Sequence, residues 1–274
     1  MNNAYDKQKI YGQDLWENIL SEVEQAVLDE PILAGFLHLT VLRSSNLAEV
    51  LAFHLSSRLS SQIMDPRALN EIFLDCFREN KEIINAVEED ILAYYQRDPA
   101  CDQYSMPLLY YKGFHAIQTH RINQWLWKNN HRTLALFLQN RSSEVFGVDI
   151  HPGATIGQGI MSDHGTGLVI GETAVLGNDI SLLHGVTLGG SGKETGDRHP
   201  KVRDGVMIGA NASILGNIII GEWSRIGAGS VVTRNVPPHV TVVGVPARII
   251  DSTDNNMPSK EMNQILDYDM DFVI

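Results

Sequence analysis

An aliphatic residue returns every sixth position through the C-terminal half of the chain. From Ile208 the beat runs Ile208, Ile214, Ile220, Ile226 and Val232. Glycine follows three of these (Gly209, Gly221, Gly227), and a small residue stands four positions after the same three (Ala212, Ser224, Ser230). An earlier block, Ile170, Leu176, Leu182 and Leu188, keeps the same interval, and Ile150 with Ile156 begins it. Amphipathic helices repeat near 3.6 residues and half-buried strands near 2, so neither sustains a period of six. A solenoid does. Each hexad supplies one short strand and one turn, three hexads close a triangular coil, and the aliphatic residues stack inward from coil to coil. Glycine suits the corners, where the chain needs positive φ. A sandwich of short strands is the alternative, but its strands are spaced more widely and less evenly.

Ahead of residue 147 the spacing turns helical. Residues 13–30 place Leu15, Ile19, Val23 and Val27 on one stripe with acids opposite. Pro31 opens a second apolar segment, PILAGFLHLTVL, and Asn46 is positioned to cap a helix over AEVLAFHLSSRL. Residues 67–79 and 81–97 read as two more helices. After a loop at RDPACDQYSMP, Pro107 starts one long helix through PLLYYKGFHAIQTHRINQWLWKN, and HRTLALFLQNRSSEVFG is the last. Glycine sharpens the boundary: 3 of 23 lie before residue 147 (Gly12, Gly35, Gly113) and the other 20 lie between Gly147 and Gly244. The expected fold class is α+β, with an all-helical domain over 1–146, a parallel β-helix over 147–250 and a flexible acidic tail over 251–274.

The beat breaks twice. It slips by two residues around MSDHGTG, between Ile156 and Ile170, and GGSGKETGDRHPKVRDGVM intervenes between Leu188 and Ile208. A loop pushed out of a regular coil buries little and costs ordering entropy, so it calls for a functional reason. These two loops carry Asp163, His164, Arg198 and His199. The repeat is expected to end at NVPPHVTVVGVPARII, because Pro237, Pro238 and Pro246 cannot continue a hydrogen-bonded ladder.

Composition removes several function classes. A net charge of -12 argues against nucleic acid and against an anionic membrane as main partner. Cys76 and Cys101 form no pairing motif, the start MNNAYDKQKI lacks an apolar signal core, and no apolar run reaches bilayer length; the cytoplasm is the expected compartment. GGSGKET is not a phosphate loop, since Thr187 stands at the first glycine position and Glu194 where a hydroxyl belongs. The helical-half histidines His38, His54, His115, His120 and His131 read as packing or surface residues. His151, His164, His184 and His199 could supply ligands for a zinc-dependent anhydrase, but their spacing carries no zinc signature, and no metal is expected. His164 and Asp149 are 15 residues apart, a near-coil separation that can set an imidazole beside an orienting carboxylate; the alternative is a structural aspartate and a turn histidine.

The run VDIHPGATIGQGIMSDHGTGLVIGETAVLGNDISLLHGVTLGGSGKETGDRHPKVRDGVMIGANASILGN resembles the serine O-acetyltransferases. The likeness reaches back through RDPACDQYSMPLLYYKGFHAIQTHRI and the N-terminal helices, and the ordered motifs DIHP, DHGTG, GET, TLGG, DRHPK and GVPARI are specific to it. The resemblance implies a left-handed coil and transfer of acetyl from acetyl-CoA to the L-serine hydroxyl in cysteine biosynthesis. It makes His164 the general base and Asp149 its orienting carboxylate. Asp98 and Asp163 would receive the serine ammonium, Arg198 the carboxylate, and His199 would contact substrate near the hydroxyl. Gly190, Ala210 and Arg225 would line the acetyl-CoA site. It further implies inhibition by L-cysteine, assembly as a homotrimer or dimer of trimers, and an anchor for O-acetylserine sulfhydrylase at Ile274. Acetylation of another hydroxyl or amine, such as a sugar, is the alternative activity.

Overall fold

Residues 10–192, 195–253 and 257–265 are described in the structure, a computed structural model. Two units, Met1–Phe146 and Gly147–Ile274, divide the chain.

In the helical unit, Leu15, Trp16, Ile19 and Val23 form the buried stripe of Gly12–Asp29 (α1). Its first amide has no partner inside the helix and donates instead to the Glu88 carboxylate at 3.1 Å. The apolar segment after Pro31 is irregular: a 3-10 turn over Pro31–Leu33, one α turn over Ala34–Leu37 (α2) and a π turn over His38–Leu42. Asn46 caps Leu47–Leu59 (α3) by accepting the Glu49 N–H at 3.1 Å, and the Glu49 carboxylate takes the Ser45 N–H in return at 2.8 Å. Asp65 caps Pro66–Glu79 (α4), whose proline occupies the one turn that needs no amide. Glu82–Arg97 (α5) follows.

The long helix expected from Pro107 is two helices, Ser105–Tyr110 (α6) and Lys112–Lys128 (α7). Tyr111 between them is extended (φ -92°, ψ 105°) and its ring meets Tyr94 at 5.5 Å. Apolar residues flank the break on both sides, so the periodicity passes over it. Arg132–Phe146 (α8) closes the unit.

α7 is buried on most of its surface and carries polar groups inward. Asp90 of α5 accepts from Gln118 at 2.8 Å and from Arg121 at 2.6 Å, and Arg121 Nε donates to Gln118 at 3.1 Å. The buried charges are thus paired and bonded, as burial requires. His54 and His115 are also buried, with ring centroids 4.8 Å apart. Burial, reinforced at His54 by Arg58, holds them neutral, with pKa values lowered to about 4 and about 3. His38 and His131 are exposed. Among the described residues no single helix is long and apolar enough to cross a membrane.

The second unit is the parallel solenoid. Ile150, Ile170, Leu188, Ile214 and Val232 stack in register on its first face. Ile156, Leu176, Val202 and Ile220 stack on the second, where Val236 joins Ile220 by a single bridge. Ser162, Leu182, Ile208, Ile226 and Val242 stack on the third. All of these side chains are buried. Full burial of each aliphatic contributes roughly 1.5–3 kcal/mol.

Three expectations change. Val202 already stands on the beat, so the second insertion ends there and not at Ile208. The repeat also passes through NVPPHVTVVG: Val236 and Val242 keep the register, and Val240–Gly244 pairs parallel with Arg225–Ile226 before turning back antiparallel on Ala247–Ser252. Pro237 and Pro238 sit at a corner, where the ladder needs no amide. The chain there runs so close to Gly221 that an added Cβ would lie 2.3 Å from Pro238 N.

The tail is the third change. Pro258–Glu261 forms a helical turn against the third face. The Ser181 hydroxyl donates to the Ser259 carbonyl at 2.7 Å, Lys260 lies 3.4 Å from Asp179, and Thr253 donates to the Trp223 carbonyl at 2.6 Å. This part of the tail is packed, not free, because its polar backbone finds partners on the solenoid. Ile274, with Phe272 and Val273, lies outside the described residues.

Candidate active site

The two-residue slip becomes a tight turn. Ser162 holds its place on the third face, and the next inward residue, Ile170, comes eight positions later instead of six. The extra chain bends at 163–165, where the Gly165 N–H donates to the Asp163 carbonyl at 2.6 Å around His164. His164 takes φ +57°, a conformation that costs energy for a residue with a side chain. The turn pushes the imidazole outward: its side chain is 75% exposed, with Nε2 3.8 Å from Asp163 Oδ1. That distance allows charge attraction but not a hydrogen bond. The ring meets the edge of His184 at 6.1 Å. His184 Nδ1 is buried without a partner among the described residues.

Asp149 sits in the strand Val148–Ile150, half-buried and in register with Val169. Its charge acts on His151. Burial lowers the His151 pKa, while the Glu172 and Asp149 carboxylates oppose that shift.

The second insertion folds back onto the turn at Glu172 and Thr173. Arg198 Nη2 donates to Glu172 Oε2 at 2.8 Å and Nη1 to the Gly196 carbonyl at 3.0 Å, which fixes the guanidinium plane. The Arg198 hydrogen bond in first place holds the Glu172 carboxyl below its ordinary pKa. The backbone amides of Arg198 and His199 both donate to Thr173 Oγ1, at 3.0 and 3.1 Å. Lys201 Nζ donates to the carbonyls of Thr173 and His199 at 2.7 and 3.0 Å and to Asp197. His199 is buried, and its ring lies against Gly171, where an added Cβ would come within 2.0 Å. Burial, then the Arg198 charge, lowers the His199 pKa.

Asp163, His164, Arg198 and His199 therefore all stand on the solenoid's two insertions. Gly190 leads into the second, directly after the strand Thr187–Gly189. Ala210 is half-exposed, with its carbonyl taken by the Gly229 amide at 2.7 Å. Arg225 is engaged with the tail: Nη1 donates to the carbonyls of Asn263 and Ile265 at 3.1 and 3.3 Å, and Nε to Thr241 at 3.2 Å. A phosphate could take that Nη1 only in place of those carbonyls. Asp98 belongs to the helical unit, at the C-terminal end of α5, where Oδ1 accepts the Ala100 N–H at 2.8 Å. Glu172 and Thr173 had no role in the sequence reading, where the GET motif held them without saying what they touch, and His184 stood there only among the candidate zinc ligands. Among the described residues no group of three or more His, Cys, Asp or Glu could hold a metal ion.

An outward imidazole on a strained turn suits proton removal from a hydroxyl, and a guanidinium held at the second insertion suits a carboxylate. Set on hexapeptide coils, these features define an acyltransferase of the hexapeptide-repeat class, and residues 199–234 match the bacterial transferase hexapeptide (six repeats) family. Residues 15–119 match the family described as serine acetyltransferase, N-terminal. The serine acetyltransferase of Escherichia coli (strain K12) is 54% identical over 250 residues, covering 91% of this chain and 92% of that protein. The crystal structure of Neisseria gonorrhoeae serine acetyltransferase in complex with serine aligns with a TM-score of 0.86 at 63% identity, covering 88% of this chain and 100% of the other. A serine acetyltransferase in complex with cysteine aligns with a TM-score of 0.91 at 51% identity, covering 92% and 98%. The chain belongs to the serine acetyltransferase family.

Proposed function

We propose that this chain transfers the acetyl group of acetyl-CoA to the hydroxyl of L-serine, releasing O-acetyl-L-serine and CoA. The observation that carries the reading is the likeness to serine acetyltransferases over nine-tenths of the chain, joined to an exposed histidine at the break in the coil. A serine hydroxyl is a poor nucleophile at neutral pH. His164 takes its proton as the oxygen attacks the thioester carbonyl; the tetrahedral intermediate collapses, the C–S bond breaks, and the proton passes to the departing CoA sulfur. Both substrates bind together, so no acyl-enzyme forms. Asp149 orients the imidazole, Asp98 and Asp163 receive the serine ammonium, and Arg198 and His199 hold its carboxylate and hydroxyl end. Gly190, Ala210 and Arg225 contact CoA.

The test is a substrate panel followed by release of free CoA thiol, run on the wild-type chain and on His164→Ala. Serine should be turned over far faster than sugars or amines, and the variant should lose roughly 10²–10⁴ in kcat, the worth of a positioned base. A sugar preferred over serine, or an active His164→Ala, would overturn the reading.

Cysteine differs from serine by one atom, and it is bound in a related structure; it should inhibit here in competition with serine. The exposed apolar residues Leu28, Ile32, Phe36 and Leu39 favour a homo-oligomer, a trimer or dimer of trimers. Two buried free thiols favour the cytoplasm. The C-terminal Ile274 is proposed as the anchor for O-acetylserine sulfhydrylase, and its deletion should abolish co-elution of the two proteins.

A further inference from the structure

We propose that Thr173 is a positioning residue that locks His199 in the tautomer with its proton on Nε2, so that His199 is a hydrogen-bond donor to the amino-acid substrate and cannot be its base. The proposal rests on the reading of this site as the serine site and adds a division of labour between its two histidines.

Nδ1 of His199 faces two groups of Thr173, the backbone N–H at 3.2 Å and Oγ1 at 2.9 Å. A backbone amide can only donate, so Nδ1 must present its lone pair, and a neutral imidazole then carries its proton on Nε2. A flipped ring would turn Cδ2 toward the amide and lose both contacts. The ring also packs on Gly171, where an added Cβ would sit 2.1 Å from Nε2.

Thr173 Oγ1 is used to capacity. Its two lone pairs accept the amides of Arg198 and His199. Its single proton goes to Nδ1 or to the Asp197 carboxylate, which also lies within its reach. Either choice leaves Nδ1 facing the backbone N–H. A second proton on the ring would have to sit on Nδ1, pointing at that N–H. The charges around the ring weigh the same way: Arg198, Lys201 and His151 disfavour an imidazolium, and Glu172 alone favours it. One hydroxyl thus sets the backbone of Arg198 and His199 and the direction of the His199 proton. A carboxylate or hydroxyl oxygen of the substrate can accept from Nε2, but no substrate proton can be transferred to it.

Two measurements test this. Long-range ¹H–¹⁵N spectra of the full-length protein, histidine-labelled and free of substrate, should show the His199 signals of the Nε2–H tautomer, assigned by their loss in His199→Gln. An Nδ1–H tautomer or an imidazolium at pH 7.5 would overturn the proposal. Thr173→Val removes the hydroxyl at nearly constant volume, and Thr173→Ser restores it. The valine variant should raise the KM for serine at least about tenfold. The KM for acetyl-CoA should stay within about twofold, and the serine variant should recover most of the loss. An unchanged serine KM, an equal rise for both substrates, or no rescue by serine would each refute a positioning role. The spectra need neither substrate nor turnover, so they can fail while serine acetylation through His164 stands; failure of the substrate panel leaves the tautomer result intact.

Discussion

His54 and His115 make a sharp prediction about acid. The two rings face each other inside the helical unit, and both are held neutral, with pKa values of about 4 and about 3 against an ordinary 6.5. An unfolded chain has normal histidines and therefore binds more protons than the folded one below pH 6.5, so stability falls as pH drops from about 6.5 toward the folded values. At pH 5.0 a histidine with an ordinary pKa gains about 2 kcal/mol by protonation, while one held near 4 gains almost nothing. Each ring should thus cost the fold about 2 kcal/mol on going from pH 7.5 to 5.0. His54 is the one to remove, because its Nε2 has no hydrogen-bond partner among the described residues and an apolar replacement leaves little unsatisfied. In urea unfolding followed by the fluorescence of Trp16, Trp125 and Trp127, His54→Leu should match or exceed wild type at pH 7.5. Between pH 7.5 and 5.0 it should lose about 2 kcal/mol less than wild type. Equal losses would mean that His54 takes up its proton while folded, and the reasoning from burial would fail.

Three other outcomes are expected. Asp90→Ala strips the carboxylate from a buried pair and leaves Arg121 charged inside the fold; it should cost about 3–5 kcal/mol by thermal unfolding, with part recovered on adding Arg121→Met. Ile214→Ala opens a gap between Leu188 and Val232 in the first inward column and should cost about 2–5 kcal/mol in the same experiment. Gly171→Ala drives a methyl into the His199 ring, so the KM for serine should rise about tenfold or more at saturating acetyl-CoA while the solenoid still folds.

The solenoid was legible because its period is a property of the sequence. A residue that must point inward once per side repeats whether or not the chain is folded, and fourteen of the stacked positions are aliphatic. The two insertions were legible for the same reason, as departures from a regular beat, and they led to Asp163, His164, Arg198 and His199. The break at Tyr111 was not legible, since apolar residues on both sides of it satisfy either one helix or two. Nor was the run through Pro237 and Pro238, because proline forbids a ladder bond but not a corner, and a corner is defined only by the coil beneath it. The tail reads as solvated by its acids, yet Ser259 and the carbonyls of Asn263 and Ile265 find partners on the third face.

By itself, then, the sequence determined what repeats and what interrupts the repeat, because burial of one face at fixed spacing leaves its mark in the order of residues. Only the tertiary structure decided which polar groups meet. Thr173 and His199 are 26 positions apart, and Asp90 and Arg121 are 31 apart. Each pair depends on how far a loop or helix is carried in space before it returns, a length that hydrophobic spacing does not encode.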